Sequence, residues 1–540
     1  EKKMSMSKNI ARLAVTAGLT AALSFGGVMA PVTMAFAAEA NGSVTIENVN
    51  GNTTEFQGYQ IFKADVDSGK VANITWANDR VEKAVKDVIE KEDTSYAGKT
   101  AQDAADWITN KVTGTNETTR VAPDNIAYKI ADAVDGLSPS AMTTSKTASG
   151  LAHGYWLFVT KTDTIGVGEA GTSPIFTVVG NTPVKITEKT GIPTVEKKIV
   201  SDADSKEHDA ADSQIGQDVT YNLYGTVAEN FDKYDTYFYQ FSDKISKGLT
   251  LQKDAKVYLY KNRTDATGTD ITMYFKEETP AKAAEDGSKT TTWTCDNLKD
   301  VSGVTKDSYI VVSYKAQINK YAVVAGTEGN ENTVTLNYSN NPMTSDRGET
   351  QSDTVKDYTY GLKINKVDLG TEAALDGAEF TIQATGADDG ASKNLYVQKD
   401  GSLGSDPWNF ATANGGVIKV TGLDAGTYTV TEVSAPSGYA KVDPFTFEIK
   451  PNMNADDPGA GLTALKGVLT TDQGGKVIAG ITDENAGDNN LTAKLGSEKD
   501  EDGIFNITVG DTKQVGLPLT GLNGVTFTWI AGGAVLCIGV

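Results

Sequence analysis

Most of the chain from about residue 191 to residue 515 consists of short runs in which apolar and polar residues alternate. VTYNLYGTV, YIVVSYKAQI, YGLKINKVD and GTYTVTEV are examples, and Gly, Asn and Asp residues separate such runs. Because strand side chains point alternately to the two faces of a sheet, each run predicts a strand with one buried face. We therefore expect a mainly β protein made of tandem immunoglobulin-like sandwiches.

Helical periodicity is confined to the earlier segment, residues 38–190. RVEKAVKDVIEKE and AQDAADWITNKV each place apolar residues on one helical stripe, between the strand-like runs YQIFKADV and GYWLFVT. This segment is expected to be an α+β domain or a decorated β-sandwich. The Pro-containing stretch NTPVKITEKTGIPTVEKK marks its end, and we place two further domains at residues 191–360 and 361–515.

Residues 1–37 have the pattern of a signal peptide. An apolar stretch from residue 13 to residue 28 follows four basic residues: Lys2, Lys3, Lys8 and Arg12. The small-residue site Ala35-Phe36-Ala37 comes next, which predicts cleavage between Ala37 and Ala38 and export of the protein. A retained membrane anchor is the alternative, and the Gly, Ser and Thr residues of the stretch disfavour it.

Charge and composition restrict the function. The formal net charge of −22 argues against nucleic acids and anionic membranes as partners. Cys295 and Cys537 lie in very different contexts, so no disulfide framework is expected. His153 and His208 are far apart, and neither a metal-binding spacing nor a nucleophile motif occurs. We expect no metal, no cofactor and no enzyme, a surface hydrolase being the weakest alternative.

The last segment, residues 516–540, opens with LPLTG and continues into the apolar run VTFTWIAGGAVLCIGV. That run is close to the ~20 residues that span a membrane, so a plain anchor is one interpretation. LPLTG, however, resembles the LPxTG signal that sortases recognise on Gram-positive surface proteins. The resemblance implies cleavage after the threonine and its transfer to an amine; the pentapeptide is Leu517, Pro518, Leu519, Thr520 and Gly521. The usual basic tail is absent, and we expect that the sequence is truncated there.

Alternation places three charged side chains on the buried faces of strands in residues 361–515. Each of the runs LKINKVD, YTVTE and IFNITVGD places a charged residue on a face with at least two apolar residues: Lys366, Glu432 and Asp511. One such residue could lie at a strand end with its charge in water. Three together predict a buried cluster, because a charged group seldom enters a core unpaired.

The same residues carry a family resemblance. YTVTEVSAPSGY closely matches the YxLxExxAPxGY "E-box" of CnaB-type domains in Gram-positive pilins and adhesins, and KINKVD followed by LDGAEF resembles their opening strand. In that family a core lysine and an Asn or Asp form an intramolecular isopeptide bond, assisted by a buried acid. The resemblance implies a Lys366–Asp511 bond with Glu432 as the acid. Relatives often have Asn where this chain has Asp511, so water would leave in place of ammonia.

Residues 191–360 repeat the arrangement with other residues. The runs PTVEKKIV, FYQFSDKI and NTVTLNY each place one polar residue on the apolar face: Lys197, Asp243 and Asn332. We predict a Lys197–Asn332 bond with Asp243 as the acid. Lys198 and Asn337 are the neighbouring alternatives, and a hydrogen-bonded polar cluster without a bond is a third.

A polymerising pilin must also present a lysine to the next subunit. VKITEK, residues 184–189, resembles the pilin motif W-x-x-x-V-x-V-Y-P-K without its Trp, Tyr and Pro. The resemblance implies that Lys189 is the linking residue; the competing candidates are Lys185, Lys197 and Lys198.

As a whole, the chain resembles major pilins of the SpaA or FimA type. The resemblance implies the shaft subunit of a surface pilus, joined head to tail from Thr520 to Lys189 of an identical subunit. It also implies a secreted, cell-wall-anchored location and a set of partners: a class C pilus sortase, a housekeeping sortase, peptidoglycan, an accessory tip pilin and a host surface. A monomeric wall-anchored adhesin or an accessory pilin is the alternative.

Overall fold

The structure is a computed structural model. It describes residues 41–48, 53–67, 70–112, 126–144, 146–188, 191–324, 328–387, 392–457, 459, 461–469, 477–479, 490–495 and 503–514. These residues form mainly strands in tandem sandwiches, with a few helices near the N-terminus, which confirms the expected fold class. Within these ranges, no helix has the length and apolar character that crossing a membrane requires.

The N-terminal region packs two sheets and a layer of helices. Its strands are β1 (Gly42–Asn48), β2 (Phe56–Asp67), β3 (Lys70–Trp76), β4 (Ala141–Met142), β5 (Thr147–Leu151), β6 (Gly154–Thr160), β7 (Ile175–Val179) and β8 (Val184–Glu188). Its helices are α1 (Asp79–Glu92), α2 (Ala101–Val112) and α3 (Ile126–Asp135), and a 3-10 turn spans Thr162–Thr164. The strand orders are β5-β1-β8 and β3-β2-β6-β7, with β4 beside β2.

Strand β6 explains why this region has three layers. Every residue of GYWLFVT is buried. Leu157 packs towards the helices, and Phe158 packs towards the small sheet. A strand that is apolar on both faces needs a partner on each side, which the helices and the β5-β1-β8 sheet provide. The apolar stripes predicted α1 and α2, whereas α3 was missed.

The middle sandwich contains two facing sheets. Their strands are β9 (Val195–Val200), β10 (Glu207–His208), β11 (Ala210–Asp212), β12 (Asp218–Thr226), β13 (Tyr239–Ile245), β14 (Leu249–Leu251), β15 (Lys256–Tyr260), β16 (Thr269–Asp270), β17 (Lys276–Glu278), β18 (Lys289–Cys295), β19 (Tyr309–Ile318), β20 (Asn330–Ser339), β21 (Arg347–Glu349) and β22 (Asp353–Tyr358). Short 3-10 turns span Phe231–Lys233, Thr272–Tyr274 and Leu298–Asp300. One sheet has the order β10-β9-β12-β19-β15-β16, with β14 on β19. The other has the order β11-β22-β20-β13-β18-β17, with β21 on β20.

The C-terminal sandwich is also two-layered. Its strands are β23 (Tyr360–Asp368), β24 (Glu379–Ala387), β25 (Tyr396–Val397), β26 (Leu403–Gly404), β27 (Phe410–Ala411), β28 (Val417–Leu423), β29 (Gly426–Ser434), β30 (Tyr439–Ala440), β31 (Phe445–Met453), β32 (Leu462–Leu469), β33 (Val477–Ala479), β34 (Asn490–Ala493) and β35 (Ile504–Lys513). The sheets have the orders β28-β23-β35-β30, with β33 on β35, and β26-β25-β24-β29-β31-β32-β34, with β27 on β24. Strands β23 and β35 are parallel neighbours.

A loop of the middle sandwich connects it firmly to the C-terminal sandwich. The buried side chain of Gln214 donates to the carbonyl oxygen of Gly401. Its own oxygen accepts from the backbone N–H of Asp424 at 3.1 Å and from the hydroxyl of Tyr428 at 3.3 Å. The next residue, Ile215, donates its N–H to Gly422 O at 2.9 Å. Hydrogen bonds of one glutamine therefore satisfy three buried groups of the neighbouring sandwich.

We expect Gln214→Ala to loosen this junction. The substitution leaves the Asp424 N–H and the Gly401 carbonyl without their partner, and each unsatisfied buried group costs about 1–3 kcal/mol. Scanning calorimetry should resolve the unfolding of the two sandwiches into separate, less cooperative transitions. Gln252→Ala is the control, because the hydrogen bond given by that side chain in the described residues stays within the middle sandwich, to Thr250 O. Identical unfolding of the two variants would contradict the importance of Gln214.

Candidate functional site

The middle site lies between the two sheets of the middle sandwich. Four side chains define it, each at most 1% exposed: Lys197, Asp243, Tyr314 and Asn332. Lys197 on β9 and Tyr314 on β19 extend from one sheet, and Asp243 on β13 and Asn332 on β20 extend from the facing sheet. Buried and half-buried residues alternate along these strands, so the period-two pattern of the sequence directs the polar side chains inward with their apolar neighbours.

The hydroxyl of Tyr314 connects the other three side chains. Lys197 Nζ forms a salt bridge with Asp243 Oδ1 and donates to the Tyr314 oxygen at 3.0 Å. Asn332 Nδ2 donates to the same oxygen at 2.7 Å, while the hydroxyl donates to Asp243 Oδ2 at 2.5 Å. Asn332 Oδ1 accepts no hydrogen bond from the described part of the chain. The amine and the amide are thus held beside each other by one shared oxygen.

The surroundings of Lys197 favour its neutral form. Burial lowers the pKa of the amine to about 8, although the neighbouring carboxylate of Asp243 opposes this change. The rings of Tyr221 and Tyr314 lie with their centroids 5.6 and 5.4 Å from Nζ. A neutral lysine amine is a nucleophile, whereas an ammonium is not. The middle site therefore holds an activated amine next to a carboxamide and a carboxyl group.

The C-terminal site has the same plan in the next sandwich. Its three side chains are at most 2% exposed: Lys366, Glu432 and Asp511. Lys366 on β23 lies opposite Val509 of the parallel strand β35, and Asp511 is the next residue on the same face of β35. Glu432 extends from β29 in the facing sheet. The structure brings together all three residues that alternation had placed in the core.

Contacts in the C-terminal site join the amine to both carboxyl groups. Lys366 Nζ donates to Asp511 Oδ1 and lies 2.9 Å from Glu432 Oε1. The contact with Glu432 is an ion pair that lacks hydrogen-bond alignment. The backbone N–H of Val442 donates to Glu432 Oε2 at 2.9 Å, and the ring centroid of Phe380 lies 5.3 Å from Nζ.

Burial raises the pKa of Glu432, and the Val442 N–H and Lys366 only partly oppose this effect. A carboxyl group with a raised pKa can keep its proton and donate it to a carbonyl oxygen that is under attack. Glu432 is therefore suited to the role of an acid beside the Lys366 amine and the Asp511 carboxyl group.

Neighbouring candidates lie outside the two sites. Lys198 points away from the core and pairs with Asp209 at 2.5 Å, and Asn337 donates to Gln240 at 3.2 Å. Both positions follow from alternation, since Lys198 is one residue from Lys197 and Asn337 is an odd number of residues from Asn332. Lys185 is exposed on β8, 3.6 Å from Glu47.

Several predicted residues lie outside the described residues. These are the linking candidate Lys189, the sorting residues 517–521, and the cleavage residues Ala37 and Ala38. Among the residues that the structure describes, no group of His, Cys, Asp and Glu has the arrangement of a metal site. His153 contacts Asn41, and His208 contacts Asp204 and Asp456, so the two histidines belong to separate surroundings.

The N-terminal region has no counterpart of the two sites in its described residues. Its buried polar side chains there are all neutral: Thr54, Gln60, Thr143, Thr160 and Thr177. Tyr314 and Phe380 are the site residues that sequence reasoning missed. Alternation in YIVVSYKAQI does place Tyr314 inside the core, but it gives no sign of where the hydroxyl points.

The pKa of Lys197 predicts how stability depends on pH when no bond forms, as in Asn332→Ala. The folded amine has a pKa of about 8, whereas an unfolded lysine has the ordinary value of about 10.4. Between these values the unfolded chain binds the extra proton, so folding stability should rise with pH, by about 3 kcal/mol in total. Urea unfolding between pH 7.5 and 10.5 measures the change.

Lys197→Met is the matched control, because it also lacks the bond but has no amine to titrate. The buried tyrosines titrate in the same way in both variants. The difference between the two pH dependences of folding stability therefore reports the titration of Lys197 alone. Equal pH dependence in both variants would mean that the amine has an ordinary pKa.

Comparison with known proteins agrees with this architecture. A family model described as the SpaA prealbumin-like fold domain matches residues 360–457, which include Lys366 and Glu432. No curated protein matches the sequence significantly. The T6 backbone pilin of serotype M6 Streptococcus pyogenes, which has a modular three-domain structure, is 17% identical with a TM-score of 0.50. The likeness covers 88% of this chain and 98% of the T6 chain.

The full-length major pilin SpaD from Corynebacterium diphtheriae is 18% identical over 88% of this chain and 98% of its own, with a TM-score of 0.45. The likeness to the T6 protein concerns the fold, and the match to the family model concerns the C-terminal sandwich. Residues 360–457 thus match the SpaA prealbumin-like fold domain, in a chain that shares the fold of the T6 backbone pilin.

Proposed function

We propose that this protein is the shaft subunit of a sortase-assembled surface pilus, hardened by two internal isopeptide bonds. One observation carries the proposal: each of two successive sandwiches buries a lysine against an acid and an Asn or Asp. Burying a charged pair costs several kcal/mol of desolvation, so stability alone gives little reason for two such clusters. The fold shared with the T6 backbone pilin supports the same interpretation.

In the middle site, Lys197 Nζ attacks Cγ of Asn332. One proton of the ammonium passes to Asp243, which then donates a hydrogen bond to the carbonyl oxygen of Asn332 as charge develops there. An amide forms between the two side chains, and ammonia leaves. Because Lys197 and Asn332 already share the Tyr314 oxygen as a hydrogen-bond partner in the folded chain, the reaction is intramolecular and needs no separate enzyme.

In the C-terminal site, Lys366 Nζ attacks Cγ of Asp511, with Glu432 as the acid. The new amide joins β23 to β35, and water leaves. These are the first and last strands of the sandwich. A covalent bond between them transmits tension from one end of the sandwich to the other without separating the strands in between.

Subunits are joined from the C-terminal sorting signal of one subunit to a lysine between the N-terminal region and the middle sandwich of the next. A pilus sortase cleaves between Thr520 and Gly521 and transfers Thr520 to Lys189 of an identical subunit. Lys189 directly follows β8, the edge strand of the β5-β1-β8 sheet. A housekeeping sortase then attaches the completed fibre to peptidoglycan, at the outside of the cell wall. The role is structural, and the chain is the substrate of sortases.

Intact mass tests the two bonds. The mature chain should be lighter than its sequence mass by roughly 35 Da, which is the sum of one ammonia and one water. Lys197→Ala should restore roughly 17 Da and Lys366→Ala roughly 18 Da, and each variant should be less resistant to heat and proteases. Fragmentation of the cross-linked peptides identifies the joined residues.

Lys198→Ala and Lys363→Ala are the controls, because each removes a lysine from the opposite face of a strand that carries a site lysine and should leave the deficit unchanged. A full sequence mass for the unsubstituted chain would end the proposal of internal bonds, whatever the stability of the variants.

Gel electrophoresis after boiling in anionic detergent tests polymerisation. Coexpression with a pilus sortase should give a ladder of high-molecular-weight bands that Lys189→Ala and Thr520→Ala both abolish. Lys185→Ala, in the preceding strand, should leave the ladder intact. A single band for the unsubstituted chain would favour a monomeric wall-anchored adhesin or an accessory pilin.

A further inference from the structure

Tyr314 makes more hydrogen bonds than its place in an apolar core requires. A buried tyrosine usually needs one partner for its hydroxyl, whereas this oxygen contacts Lys197 Nζ, Asn332 Nδ2 and Asp243 Oδ2 at 3.0, 2.7 and 2.5 Å. Its ring is stacked on Tyr221 with centroids 5.6 Å apart and lies 5.2 Å from the ring of Trp293. The packing therefore fixes the oxygen at the centre of the middle site.

The reaction in the middle site requires two proton movements. The attacking amine must lose a proton as it becomes an amide, and the leaving amide nitrogen must gain one to depart as ammonia. The two nitrogen atoms concerned are Lys197 Nζ and Asn332 Nδ2, and both donate to the Tyr314 oxygen. No other hydroxyl in the described residues bonds to both.

We propose that Tyr314 is a catalytic residue of the middle site, which carries a proton from the attacking amine to the leaving nitrogen. This proposal rests on the Lys197–Asn332 bond of the proposed function. In addition to the nucleophile Lys197, the acid Asp243 and the acceptor Asn332, the middle site would then contain a residue that transfers a proton.

The step balances without a cofactor. The Nζ–Cγ bond forms and the Cγ–Nδ2 bond breaks, while one Nζ proton moves to the Tyr314 oxygen. The hydroxyl proton of Tyr314 moves to Nδ2, and ammonia leaves. Asp243 supports the charge on Asn332 Oδ1 and keeps its own proton. Rotation about the C–O bond of Tyr314 is enough to redirect the hydroxyl from Asp243 to Nδ2.

The raised pKa of Tyr314 suits a group that accepts one proton as it gives up another, and not a group that stays deprotonated as a base. Burial raises the pKa of Tyr314 well above its usual value, and the nearby Asp243 raises it further. The hydroxyl therefore keeps its proton at neutral pH and exchanges one proton for another during the step.

The C-terminal site provides a natural comparison. Lys366 there contacts Asp511, Glu432 and the ring of Phe380, and no tyrosine hydroxyl bonds to these groups among the described residues. Its acceptor is a carboxyl group, from which water leaves. Water, like ammonia, needs a proton to depart. In the C-terminal site the acid Glu432 lies beside the amine and can supply it, whereas in the middle site Tyr314 is the hydroxyl that contacts the leaving nitrogen.

Tyr314→Phe tests the proposal because it keeps the ring and removes the hydroxyl. The variant should retain the deficit of roughly 18 Da from the C-terminal site and form the middle bond about 100-fold more slowly, the usual contribution of proton transfer. Intact mass after pulsed synthesis measures both bonds in one chain. Near-ultraviolet circular dichroism, compared with Asn332→Ala, reports folding of the middle sandwich.

Tyr221→Phe is the matched control. This phenol is equally buried and stacks on Tyr314, but its hydroxyl donates to Asp357 at 3.3 Å and not to the site. Tyr221→Phe should form both bonds at the normal rate. If Tyr314→Phe also forms both bonds at the normal rate, Tyr314 is not a proton carrier, although the Lys197–Asn332 bond itself is confirmed. If the unsubstituted chain lacks the middle bond, the proposed function fails there and Tyr314 loses its role with it.

The pH dependence of the rate of bond formation distinguishes proton transfer by Tyr314 from mere stabilisation of the Lys197 ammonium. If Tyr314 only stabilised the ammonium of Lys197, its loss would favour the neutral amine, and the bond would form at pH 7 as fast as before or faster. A proton carrier predicts a slower reaction at pH 7 and also at pH 9.5. If Tyr314→Phe fails to fold, 3-fluorotyrosine at position 314 keeps the hydroxyl but makes it more acidic. The rate should then change severalfold, and an unchanged rate would overturn the proposal.

Discussion

The requirement that a buried ammonium have a carboxyl partner organises both sandwiches. Lys197 and Lys366 lie on strands whose inward faces are otherwise mainly apolar, so each charge enters a region of low dielectric constant. Asp243 supplies the partner in the middle sandwich, and Asp511 with Glu432 supplies it in the C-terminal one. Removing one partner of such a buried pair costs about 3–5 kcal/mol, because the other charge is then left alone. The facing sheets must therefore keep the register that brings these groups together, and the apolar cores pack around that register.

The same burial changes the chemistry of the groups that it encloses. Desolvation lowers the pKa of Lys197 to about 8 in the middle site and raises the pKa of Glu432 in the C-terminal site, so each of these groups is moved towards its neutral form. This is the condition for amide formation, and contact in the folded state supplies the proximity. A protein without a disulfide framework can thus obtain covalent links from ordinary core residues. At the junction, hydrogen bonds of Gln214 connect the middle sandwich to the C-terminal one.

Period-two alternation predicted much of the site because strand geometry is local. A residue two positions from a core residue on the same strand faces the same core, which placed Lys197, Asp243 and Asn332 correctly without any knowledge of their partners. It also favoured Lys197 over Lys198, which the structure places on the outward face. Helix α3 was missed although Ile126, Ile130 and Val134 follow a helical spacing and are buried. Such a short stripe competes poorly with the strand signals around it.

The sequence by itself determined which side chains face inward, where the strand-rich segments lie, and that charged groups would have to meet in the cores. Only the tertiary structure decided how they meet. The distance between Lys197 and Asn332 depends on two sheets packing face to face, and the place of Asp511 beside Lys366 depends on the parallel pairing of β23 with β35, about 140 residues apart in the chain. The role of Tyr314 also depends on the assembled sandwich, since its oxygen forms hydrogen bonds with residues on three other strands. Alternation fixes a direction for each side chain, whereas a shared hydrogen-bond partner requires the strands to be assembled.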